Sequence, residues 1–304
     1  MPDIPNGTYP TMITPFTNDL RVDYGALAPL LRFYEDKGAA GVFAICASSE
    51  IDHLSFEERL RILREITRAR KPGFAVVASG HVALDLPTLI KEAQAFVGES
   101  IDAYVFITSR LAARDEDEDV FLRRLERAAG ALGNTPLGLY ECPSPYKRLV
   151  PPETIRRLRD IGNFVFFKDT SCDMNQIRSK LTTAENTNLK LFNANTATLL
   201  ESLRAGCAGY SGVMGNFHPG LYAKLCAGYA QSPALAERLQ VFLSAASLAQ
   251  YQQYPANAKY HLALEGVPMG HACRCLDASA FTRGFQMEIA HLRALTRVFA
   301  EEWL

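Results

Sequence analysis

The stretch Phe164-Val165-Phe166-Phe167-Lys168 joins four apolar residues to a terminal charged amine. A short run that is apolar at every position predicts a strand buried on both faces, as in a parallel sheet covered by helices. A second run of this kind, Pro136-Leu137-Gly138-Leu139-Tyr140, ends in a tyrosine. The two polar residues that end these runs define a candidate site.

Lys168 is unusual because a charged group ends so apolar a strand. Burial disfavours the ammonium form, so the pKa of Lys168 is expected below its usual value and its amine is expected to attack carbonyl groups. This is Schiff-base chemistry, in which the phenol of Tyr140 could carry a proton to and from the adduct. A structural interpretation stays open, since a strand-terminal lysine can also cap a barrel rim or pair with a carboxylate such as Asp169.

Short apolar runs alternate with longer amphipathic stretches over the first 230 or so residues. Strands are predicted at 7–14, 41–47, 73–79, 103–108, 136–140, 163–168, 189–192 and 208–211. Helices are predicted at 24–38, 55–69, 84–97, 117–132, 152–160, 173–183, 196–205 and 217–229. This count predicts an α/β protein with a closed (β/α)8 TIM barrel, and no Gly-x-Gly-x-x-Gly turn follows the first strand as in an open nucleotide-binding sheet.

The chain after the eighth unit carries only helical patterns. Apolar residues recur at three-to-four spacing in residues 235–250, 255–265 and 277–303, which predicts three helices on the barrel flank or in a subunit contact. The predicted division is therefore a catalytic barrel at 1–230 and a C-terminal three-helix extension at 231–304.

The composition is that of a globular protein with a small-molecule partner. Of its 304 residues, 48% are hydrophobic and 21% charged, and the formal net charge is -1. No basic stripe is interleaved with aromatic residues, so nucleic acid is not an expected partner. The first residues lack a basic n-region and a continuous apolar h-region, and no run of about 18 apolar residues suggests a membrane span, so a cytoplasmic protein is expected.

The seven cysteines form no regular framework, which indicates reduced thiols rather than a disulfide scaffold. His271, Cys273 and Cys275 lie close together, but their spacing is not that of a zinc loop. Contact with a tail helix is the preferred interpretation, and no metal and no separate cofactor are expected.

The loop after the second predicted strand, Cys46-Ala47-Ser48-Ser49-Glu50, is rich in small residues. Its backbone N–H groups and hydroxyls could hold a carboxylate, because the chemistry of such barrels lies where strands end and βα loops begin. The alternative interpretation is a plain loop that leads to the capping box Ser55-Phe56-Glu57-Glu58.

Several motifs, in order along the chain, resemble the dihydrodipicolinate synthase / N-acetylneuraminate lyase family. They are Gly7-Thr8-Tyr9-Pro10 with Thr14-Pro15-Phe16, the loop that ends in Glu50, Tyr140 followed by Pro143, Lys168-Asp169-Thr170-Ser171, and Gly209-Tyr210-Ser211-Gly212 with Asn216 and Pro219. Each motif is short, and their order and spacing together are specific. The resemblance covers residues 7 to about 220, and the helical tail also has the size typical of that family.

The resemblance implies a (β/α)8 barrel that works as a class I, metal-free lyase, usually as a tetramer of two tight dimers. Lys168 would form a Schiff base with pyruvate or another 2-oxo acid, and Tyr140 would protonate and deprotonate the intermediates. Ser48 and the neighbouring backbone amides, those of Ala47 and Ser49 among them, would hold the carboxylate of the 2-oxo acid. An iminium acts as an electron sink for the adjacent carbon, which agrees with these roles.

Residues at other strand ends are candidates for the second half of the substrate. The resemblance implies that Asn193 and Ser211 contact its hydroxyls or distal carboxylate, although asparagines at strand ends also favour turns. Arg110 lies in the loop after the fourth strand, where its guanidinium could grip a carboxylate or stack on a ring. Further rim candidates, each more readily explained as a solvated loop residue than as a functional one, are His53, His81, Lys147 and Arg148.

The departures from the family concern one half of the site. In dihydrodipicolinate synthases a hydroxyl at the position of Ala47 joins two tyrosines in a proton relay, and alanine carries none. The second tyrosine of that relay would fall near Leu111, and the arginine that binds aspartate semialdehyde would fall at Pro145. The 2-oxo acid pocket is therefore expected to be kept and the partner pocket to be changed.

The expected function is a dihydrodipicolinate synthase-like lyase or aldolase that is not a true dihydrodipicolinate synthase. Its partners would be a 2-oxo acid, an aldehyde where the reaction is an aldol reaction, and further copies of the chain in a tetramer or dimer. Two alternatives stay open: a non-catalytic barrel that binds 2-oxo acids, and a true 4-hydroxy-tetrahydrodipicolinate synthase with a rearranged proton relay. A metal-dependent barrel enzyme would need a His-x-His pair after the first strand, where residues 11–14 read Thr-Met-Ile-Thr.

Overall fold

The structure is a computed structural model that describes residues 4–303 and forms a (β/α)8 barrel. The strands are β1 (Gly7–Thr8), β2 (Gly41–Phe43), β3 (Ala75–Ala78), β4 (Ala103–Ile107), β5 (Leu137–Tyr140), β6 (Phe164–Asp169), β7 (Lys190–Asn193) and β8 (Gly209–Tyr210). They pair in parallel in the order β1-β8-β7-β6-β5-β4-β3-β2. A parallel bridge between Thr11 and Phe43 joins the two ends of the sheet, and the predicted fold class is confirmed.

Helices cover the outside of the barrel. They are α1 (Leu27–Asp36), α2 (Phe56–Ala69), α3 (Leu86–Val97), α4 (Thr108–Leu111), α5 (Glu118–Ala131), α6 (Pro152–Ile161), α7 (Met174–Ala184), α8 (Leu199–Arg204) and α9 (Pro219–Gly228), followed by α10 (Pro233–Ala246), α11 (Ala256–Leu264) and α12 (Arg283–Trp303). At the start of α2 the predicted capping box is present, because Glu58 N–H donates to Ser55 Oγ at 3.2 Å and Ser55 N–H donates to Glu58 Oε2 at 2.9 Å. Asp117 caps α5 with a single bond, in which its Oδ1 accepts Val120 N–H at 2.9 Å.

Aromatic side chains fill the barrel interior. The rings of Phe166 and Phe192 stack with centroids 4.6 Å apart, and Tyr9 meets both edge-on. Gly138 on β5 lets β6 approach closely, since a Cβ there would lie 2.8 Å from the carbonyl oxygen of Phe166. Side chains two residues apart on a strand share a face, so Lys168 stands directly above Phe166. The aromatic cluster therefore forms an apolar floor beneath the candidate site.

Several local features differ from the prediction, and β2, for example, ends at Phe43 rather than at residue 47. Strand β1 is shorter than the predicted 7–14, because Pro10 has no N–H and the chain beyond it turns from β8 toward β2, where Met12 N–H donates to the carbonyl oxygen of Phe43 at 2.9 Å. The segment after β4 forms the short helix α4 instead of a loop, and this helix carries Arg110.

The predicted tail helices correspond to α10, α11 and α12. Helix α12 packs on α10 through the stacked rings of Phe299 and Phe242, whose centroids are 4.2 Å apart. None of the helices in residues 4–303 combines the length and the apolar character that crossing a bilayer requires. All seven cysteines are free thiols, as expected. The division at residue 230 stays a prediction about folding units.

Candidate active site

Lys168 and Tyr140 lie side by side where β6 and β5 end. The two residues are partners in the register of these strands, and Lys168 Nζ lies 4.2 Å from the centroid of the Tyr140 ring. Lys168 is 3% exposed and Tyr140 4% exposed. The ring of Phe43 on β2 covers the amine from another side, with its centroid 5.4 Å from Nζ. The structure thus brings together the two residues that the sequence singled out.

The surroundings of Lys168 keep much of its amine neutral. Burial lowers the pKa of Lys168 to about 8, against a weaker opposing influence from the thiols of Cys46 and Cys142. At pH 7.5 roughly a quarter of such amines are neutral, compared with about 0.1% for an unperturbed lysine. The amine takes part in no ion pair found among residues 4–303. It is therefore poised as a nucleophile.

The phenol of Tyr140 is held in its protonated form. Burial raises the pKa of Tyr140 well above 10, and the nearby thiols of Cys142 and Cys46 raise it further. The same burial raises the pKa of the Cys142 thiol. A neutral phenol next to an amine can donate a proton to a leaving oxygen and take one back from carbon.

The alternative pairing of Lys168 with Asp169 is wrong, because successive side chains on a strand point to opposite faces. Asp169 faces the helix layer, where its Oδ2 accepts from Lys180 Nζ at 2.5 Å, and Glu141 Oε1 accepts from the same amine at 2.5 Å. Glu141 also accepts the N–H groups of Val150 and Thr170 at 2.8 and 2.9 Å. This buried ion cluster of Glu141, Asp169 and Lys180 fixes the residues that follow Tyr140 and Lys168, and sequence reasoning missed it.

Replacing Lys180 by methionine is expected to lower the free energy of unfolding by about 3–5 kcal/mol, because two buried carboxylates would lose their cation. Urea denaturation measures this change. The matched control is Lys224→Met on the exposed side of α9, for which we expect a change within about 0.5 kcal/mol. A loss for Lys180→Met no larger than that of the control would show that the cluster is not needed for stability.

In the loop after β2, some polar groups are already hydrogen-bonded within the protein and others are free to bind a ligand. Residues Ala47–Ser49 form one turn of 3-10 helix, in which Ser49 N–H donates to the carbonyl oxygen of Cys46 at 2.9 Å. Ser49 Oγ bonds the carbonyl oxygens of Met12 and Ala44, each at 2.6 Å. Both the amide and the hydroxyl of Ser49 are thus occupied. The amides of Ala47 and Ser48 donate in none of the hydrogen bonds found in the described chain, and Ser48 Oγ donates to Thr11 Oγ1 at 3.0 Å.

Glu50 ties this loop to the C-terminal tail. Its backbone is left-handed at φ 58°, and its buried carboxylate accepts from Lys259 Nζ at 2.6 Å and from the N–H groups of Arg274 and Cys275 at 2.6 and 2.9 Å. The segment with Cys273 therefore contacts the barrel loop after β2, while the ring of His271 packs edge-on against Tyr260 of the tail helix α11, in agreement with the preferred interpretation. Across residues 4–303, no three His, Cys, Asp or Glu side chains are grouped as a metal site would require.

Arg110 lies at the rim and is already paired. Its Nη2 lies 2.5 Å from Asp52 Oδ1, while its buried Nε has no hydrogen-bond partner in the part of the chain that the structure describes. His81, predicted as a rim candidate, instead lies fully buried, where its Nε2 accepts Ile107 N–H at 3.0 Å and its Nδ1 lies 2.7 Å from the Tyr104 hydroxyl. Burial lowers the pKa of His81 to about 3, so it is a neutral structural residue. This corrects the interpretation of His81 as a solvated residue at the rim.

Of the remaining rim candidates, Arg148 and Lys147 hydrogen-bond to nearby loops, and His53 is exposed. Arg148 Nη2 bonds Glu118 Oε2 at 2.9 Å and the carbonyl oxygen of Asp117 at 3.1 Å, which ties the loop after β5 to the start of α5. Lys147 Nζ donates to the carbonyl oxygen of Thr170 at 2.8 Å. His53 has an exposed side chain.

Asn193 and Ser211 differ in where their side chains point. Asn193 faces the helix layer, where its Nδ2 donates to Thr198 Oγ1 and Ser202 Oγ, each at 3.0 Å. This geometry does not fit its expected role as a specificity residue, because Phe192 takes the inward position on β7. Ser211 is fully buried beyond the end of β8, and its hydroxyl has no hydrogen-bond partner among residues 4–303. Its hydroxyl is therefore available to a substrate.

Tyr254 is a site residue that sequence reasoning missed. Its phenolic oxygen accepts from Asn216 Nδ2 at 3.1 Å, and burial raises its pKa, an effect that the nearby hydroxyls of Ser48 and Thr11 partly offset. The residue comes from the segment between α10 and α11, far along the chain from the strands that carry the site. The sequence contains no local pattern that predicts such a contact.

A cavity of about 860 Å³ at the opposite end of the barrel is not a second catalytic candidate. Its lining comes from the segments before β5, β6 and β7, including Asn134, Asn163 and Asn188, and Arg159 is its only ionisable lining residue. The amino ends of barrel strands serve stability, whereas chemistry is found at their carboxyl ends.

Fold and site together define a (β/α)8 barrel protein with a buried lysine and a buried phenol at the ends of adjacent strands. The chain belongs to the Dihydrodipicolinate synthetase family, whose sequence profile matches residues 5–276. Members of this family are lyases and aldolases.

Individual relatives are distant in sequence and close in fold. The chain is 24% identical to the 4-hydroxy-tetrahydrodipicolinate synthase of Pseudomonas aeruginosa over 232 residues, 76% of this chain and 78% of that one. The structure of YagE, a prophage protein of the dihydrodipicolinic acid synthase family from E. coli K12 in complex with pyruvate, superposes with a TM-score of 0.86 at 21% identity, covering 96% of this chain and 98% of that one. A catalytic lysine mutant of Ruminococcus gnavus sialic acid aldolase superposes with a TM-score of 0.88 at 17% identity, covering 98% of each chain.

Proposed function

We propose that this protein is a class I lyase or aldolase in which Lys168 forms a Schiff base with pyruvate or another 2-oxo acid. The observation that carries this proposal is the amine of Lys168, which is buried, unpaired by any carboxylate in the described chain and next to a buried phenol. The family supports the reaction class, and the pyruvate complex of YagE supports the substrate class.

The neutral amine attacks the ketone carbon, and the resulting carbinolamine loses water to give an iminium. Tyr140 donates the proton that allows the hydroxyl to leave as water. The iminium then withdraws electrons from the adjacent C–C or C–H bond, so that bond breaks to give an enamine, which protonation or attack on an aldehyde returns to an iminium. Hydrolysis releases the product and the free amine. The iminium itself supplies the electron sink, so this scheme requires no metal.

The carboxylate of the 2-oxo acid would bind at the loop after β2. The amides of Ala47 and Ser48 donate in no hydrogen bond found in the described chain, whereas the hydroxyl of Ser48 already donates to Thr11 Oγ1 at 3.0 Å and would have to turn to reach the carboxylate. Because the amide of Ser49 is used inside the turn, it does not belong to this set. Successive N–H groups in a turn make a suitable anion-binding concavity.

The partner pocket differs from that of a true dihydrodipicolinate synthase. Leu111 is buried in the core and Pro145 is exposed, so neither position supplies a phenol or a guanidinium. The free hydroxyl of Ser211 and the rim arginine Arg110 are the groups left to contact a second substrate. We therefore propose another aldehyde, or a longer 2-oxo acid that is cleaved or dehydrated.

A second candidate is a true 4-hydroxy-tetrahydrodipicolinate synthase with a rearranged proton relay. The relative from Pseudomonas aeruginosa carries that name, which favours this candidate. Turnover of pyruvate with aspartate semialdehyde at ordinary enzyme rates would establish this candidate. Absence of turnover would favour a different second substrate, as proposed from the altered partner pocket.

The proposal is tested by incubation with pyruvate and borohydride, which reduces an iminium to a stable amine. The intact protein should gain the mass of one reduced pyruvyl group per chain. Screening 2-oxo acids and aldehydes for release or consumption of pyruvate then identifies the reaction. Binding of pyruvate in a calorimetric titration without any adduct would instead favour a non-catalytic barrel.

Adduct formation should depend on pH through Lys168. Because the pKa of Lys168 is lowered to about 8, the initial trapping rate is expected to rise about tenfold per pH unit below 8 and to level off above it. Trapping at a fixed borohydride excess across a pH series measures this profile. A rate that keeps rising up to the ordinary lysine pKa would contradict the lowered value.

Assembly into a dimer or tetramer is part of the proposal. Exposed apolar side chains gather on the tail, at Val241, Leu248, Leu295 and Val298. Such residues are typical of a surface that another copy of the chain covers. Analytical sedimentation or light scattering measures the oligomeric state and so tests this part of the proposal. The cytoplasmic location expected from the sequence stays a prediction.

A further inference from the structure

We propose that a cavity between the end of α1, the start of α9 and the helices α11 and α12 binds a small organic anion that carries hydroxyl groups, such as a polyol phosphate. This tail cavity has a volume of about 340 Å³, which suits a small metabolite. None of its lining residues belongs to the strand ends or to the loop after β2. Its ligand is therefore bound independently of the Schiff-base chemistry proposed for Lys168.

Positive charge dominates the lining of the tail cavity. On α12, Arg293 and Arg297 share one face because they are four residues apart, and Lys37 adds a third cation just beyond the end of α1. Arg293 Nε lies 2.5 Å from Glu265 Oε1, whereas Lys37 and Arg297 form no ion pair within residues 4–303. One carboxylate against three cations leaves an excess of positive charge, which favours an anionic ligand.

The start of α9 supplies a free backbone donor to the same cavity. His218 takes the N-cap position without a side-chain capping bond, and Pro219 has no N–H. The N–H of Gly220 donates in none of the hydrogen bonds found in the described chain. Gly220 also lies against Lys37, since a Cβ built on it would be 3.7 Å from Lys37 Cδ. A free N–H at a helix N-terminus beside a cation suits an anionic group.

Two buried imidazoles line the tail cavity and lack hydrogen-bond partners at one nitrogen each. His218 is 4% exposed and His261 2% exposed, and their ring centroids lie 5.6 Å apart. His218 Nε2 and His261 Nδ1 have no hydrogen-bond partner among the residues that the structure describes. Buried polar atoms are rarely left unsatisfied in folded proteins, so this pair indicates that a polar ligand binds beside it.

The free nitrogen of His261 is a hydrogen-bond acceptor. Burial lowers the pKa of His261 to about 4, so the ring is neutral at pH 7. Its Nε2 lies 2.9 Å from the carbonyl oxygen of Phe217, which can only accept, so Nε2 carries the hydrogen. Nδ1 then has a lone pair and requires a donor. A hydroxyl group of the ligand meets this requirement, whereas a phosphate oxygen without hydrogen does not.

The charges and the imidazoles together set the orientation of the ligand. The side chains of Lys37 and Arg297 are exposed, while both imidazoles are buried, so the cations stand at the mouth and the imidazoles at the inner end. The anionic group would therefore bind near Lys37, Arg297 and the N–H of Gly220. A hydroxyl at the other end of the ligand would donate to His261 Nδ1.

Calorimetric titration with sn-glycerol 3-phosphate and with propyl phosphate tests this proposal. Both probes carry a phosphate that is mainly dianionic at pH 7.5 on a three-carbon chain, and only the first has hydroxyls. We expect glycerol 3-phosphate to bind with a Kd of about 1 mM or below, and propyl phosphate about 3- to 10-fold more weakly. No saturable binding of glycerol 3-phosphate up to about 10 mM, or equal affinity for the two probes, would overturn the proposal.

Two double variants locate the bound phosphate. Lys37→Met with Arg297→Met removes the unpaired cations of the tail cavity and should weaken both probes by about 5- to 10-fold. Lys91→Met with Lys224→Met removes two exposed charges, on α3 and on the far side of α9, and should keep both Kd values within about twofold. Equal weakening in the two double variants would mean that net charge alone attracts the phosphate, and the site would be refuted.

His261→Leu tests the acceptor separately. This variant should bind the two probes equally, because only glycerol 3-phosphate uses Nδ1, and retained binding of propyl phosphate shows that the cavity is intact. A preference for glycerol 3-phosphate that survives the substitution would contradict the orientation of the ligand. Where this variant does not fold, the comparison of the two probes on the unaltered protein still decides.

Discussion

Replacing Lys168 by methionine is expected to abolish adduct formation with pyruvate and to lower turnover by about a thousandfold or more, because the covalent nucleophile is lost. The same change should stabilise the fold. A buried amine whose pKa falls from 10.5 to about 8 costs the folded state about 3 kcal/mol at pH 7, and methionine fills a similar volume without that cost. A gain in free energy of unfolding together with a loss of activity is the expected signature.

The pH dependence of this gain follows from proton binding. The folded protein releases the Lys168 proton near pH 8 and the unfolded chain near 10.5, so the unfolded state binds more protons between these values and the stability of the unaltered protein rises there. The advantage of Lys168→Met should therefore be full below pH 8 and shrink toward pH 10. Lys147→Met, at the rim and bonded only to a backbone carbonyl in the described chain, is the control that should keep adduct formation. Retained trapping in Lys168→Met would contradict the assignment.

Replacing Tyr140 by phenylalanine is the second large effect. Turnover should fall by about 10²- to 10⁴-fold, since the variant loses the group that protonates the leaving hydroxyl and exchanges protons with the carbon next to the iminium. The adduct on Lys168 should still form, though more slowly, because the amine and its burial are unchanged. Steady-state kinetics and borohydride trapping on the same preparation separate these two effects.

The control for Tyr140→Phe is Tyr210→Phe on β8. Tyr210 is also fully buried on a strand, but its ring stacks on Tyr222 in the helix layer and its hydroxyl lies 3.2 Å from Thr196 Oγ1. Loss of that hydroxyl is expected to leave turnover within a few-fold. Equal losses in the two variants would mean that the effect of Tyr140→Phe comes from weakened packing rather than from proton transfer.

The fold was predictable because strands covered on both sides must be apolar at nearly every position. Runs such as 103–107 and 164–167 meet that condition and are spaced by amphipathic helices, so their count alone indicates a closed barrel. The extent of β1 was less predictable. The residues beyond Thr8 are as apolar as those of a buried strand. The pairing of β1 with β8 nevertheless ends there, because of Pro10 and the turn of the chain toward β2.

The centre of the site was predictable for the same reason, since Lys168 and Tyr140 are polar residues that end apolar strands. Asn193 ends a strand too, but alternation places it opposite Phe192, which faces the interior. The sequence alone does not show which of two consecutive residues on a strand points into the barrel. It therefore does not distinguish a site residue from one whose side chain contacts the helix layer. Ser211 lies on the inward side of β8, and its role stays a prediction.

Contacts between distant parts of the chain were not predictable. Tyr254 reaches Asn216 and Ser48 from a segment about two hundred residues beyond Ser48, and Lys180 joins Glu141 to Asp169 across two strand ends. In each case the residues carry no local pattern, and only closure of the barrel brings them together. The ion pair of Glu50 and Lys259 is of the same kind.

The central claim is that one buried amine makes the bond to the substrate. Peptide mapping by mass spectrometry, after trapping with pyruvate and borohydride near pH 8, tests it most directly. The account predicts a single reduced pyruvyl group on the peptide that contains Lys168. An adduct on another lysine, or none at saturating pyruvate, would contradict it.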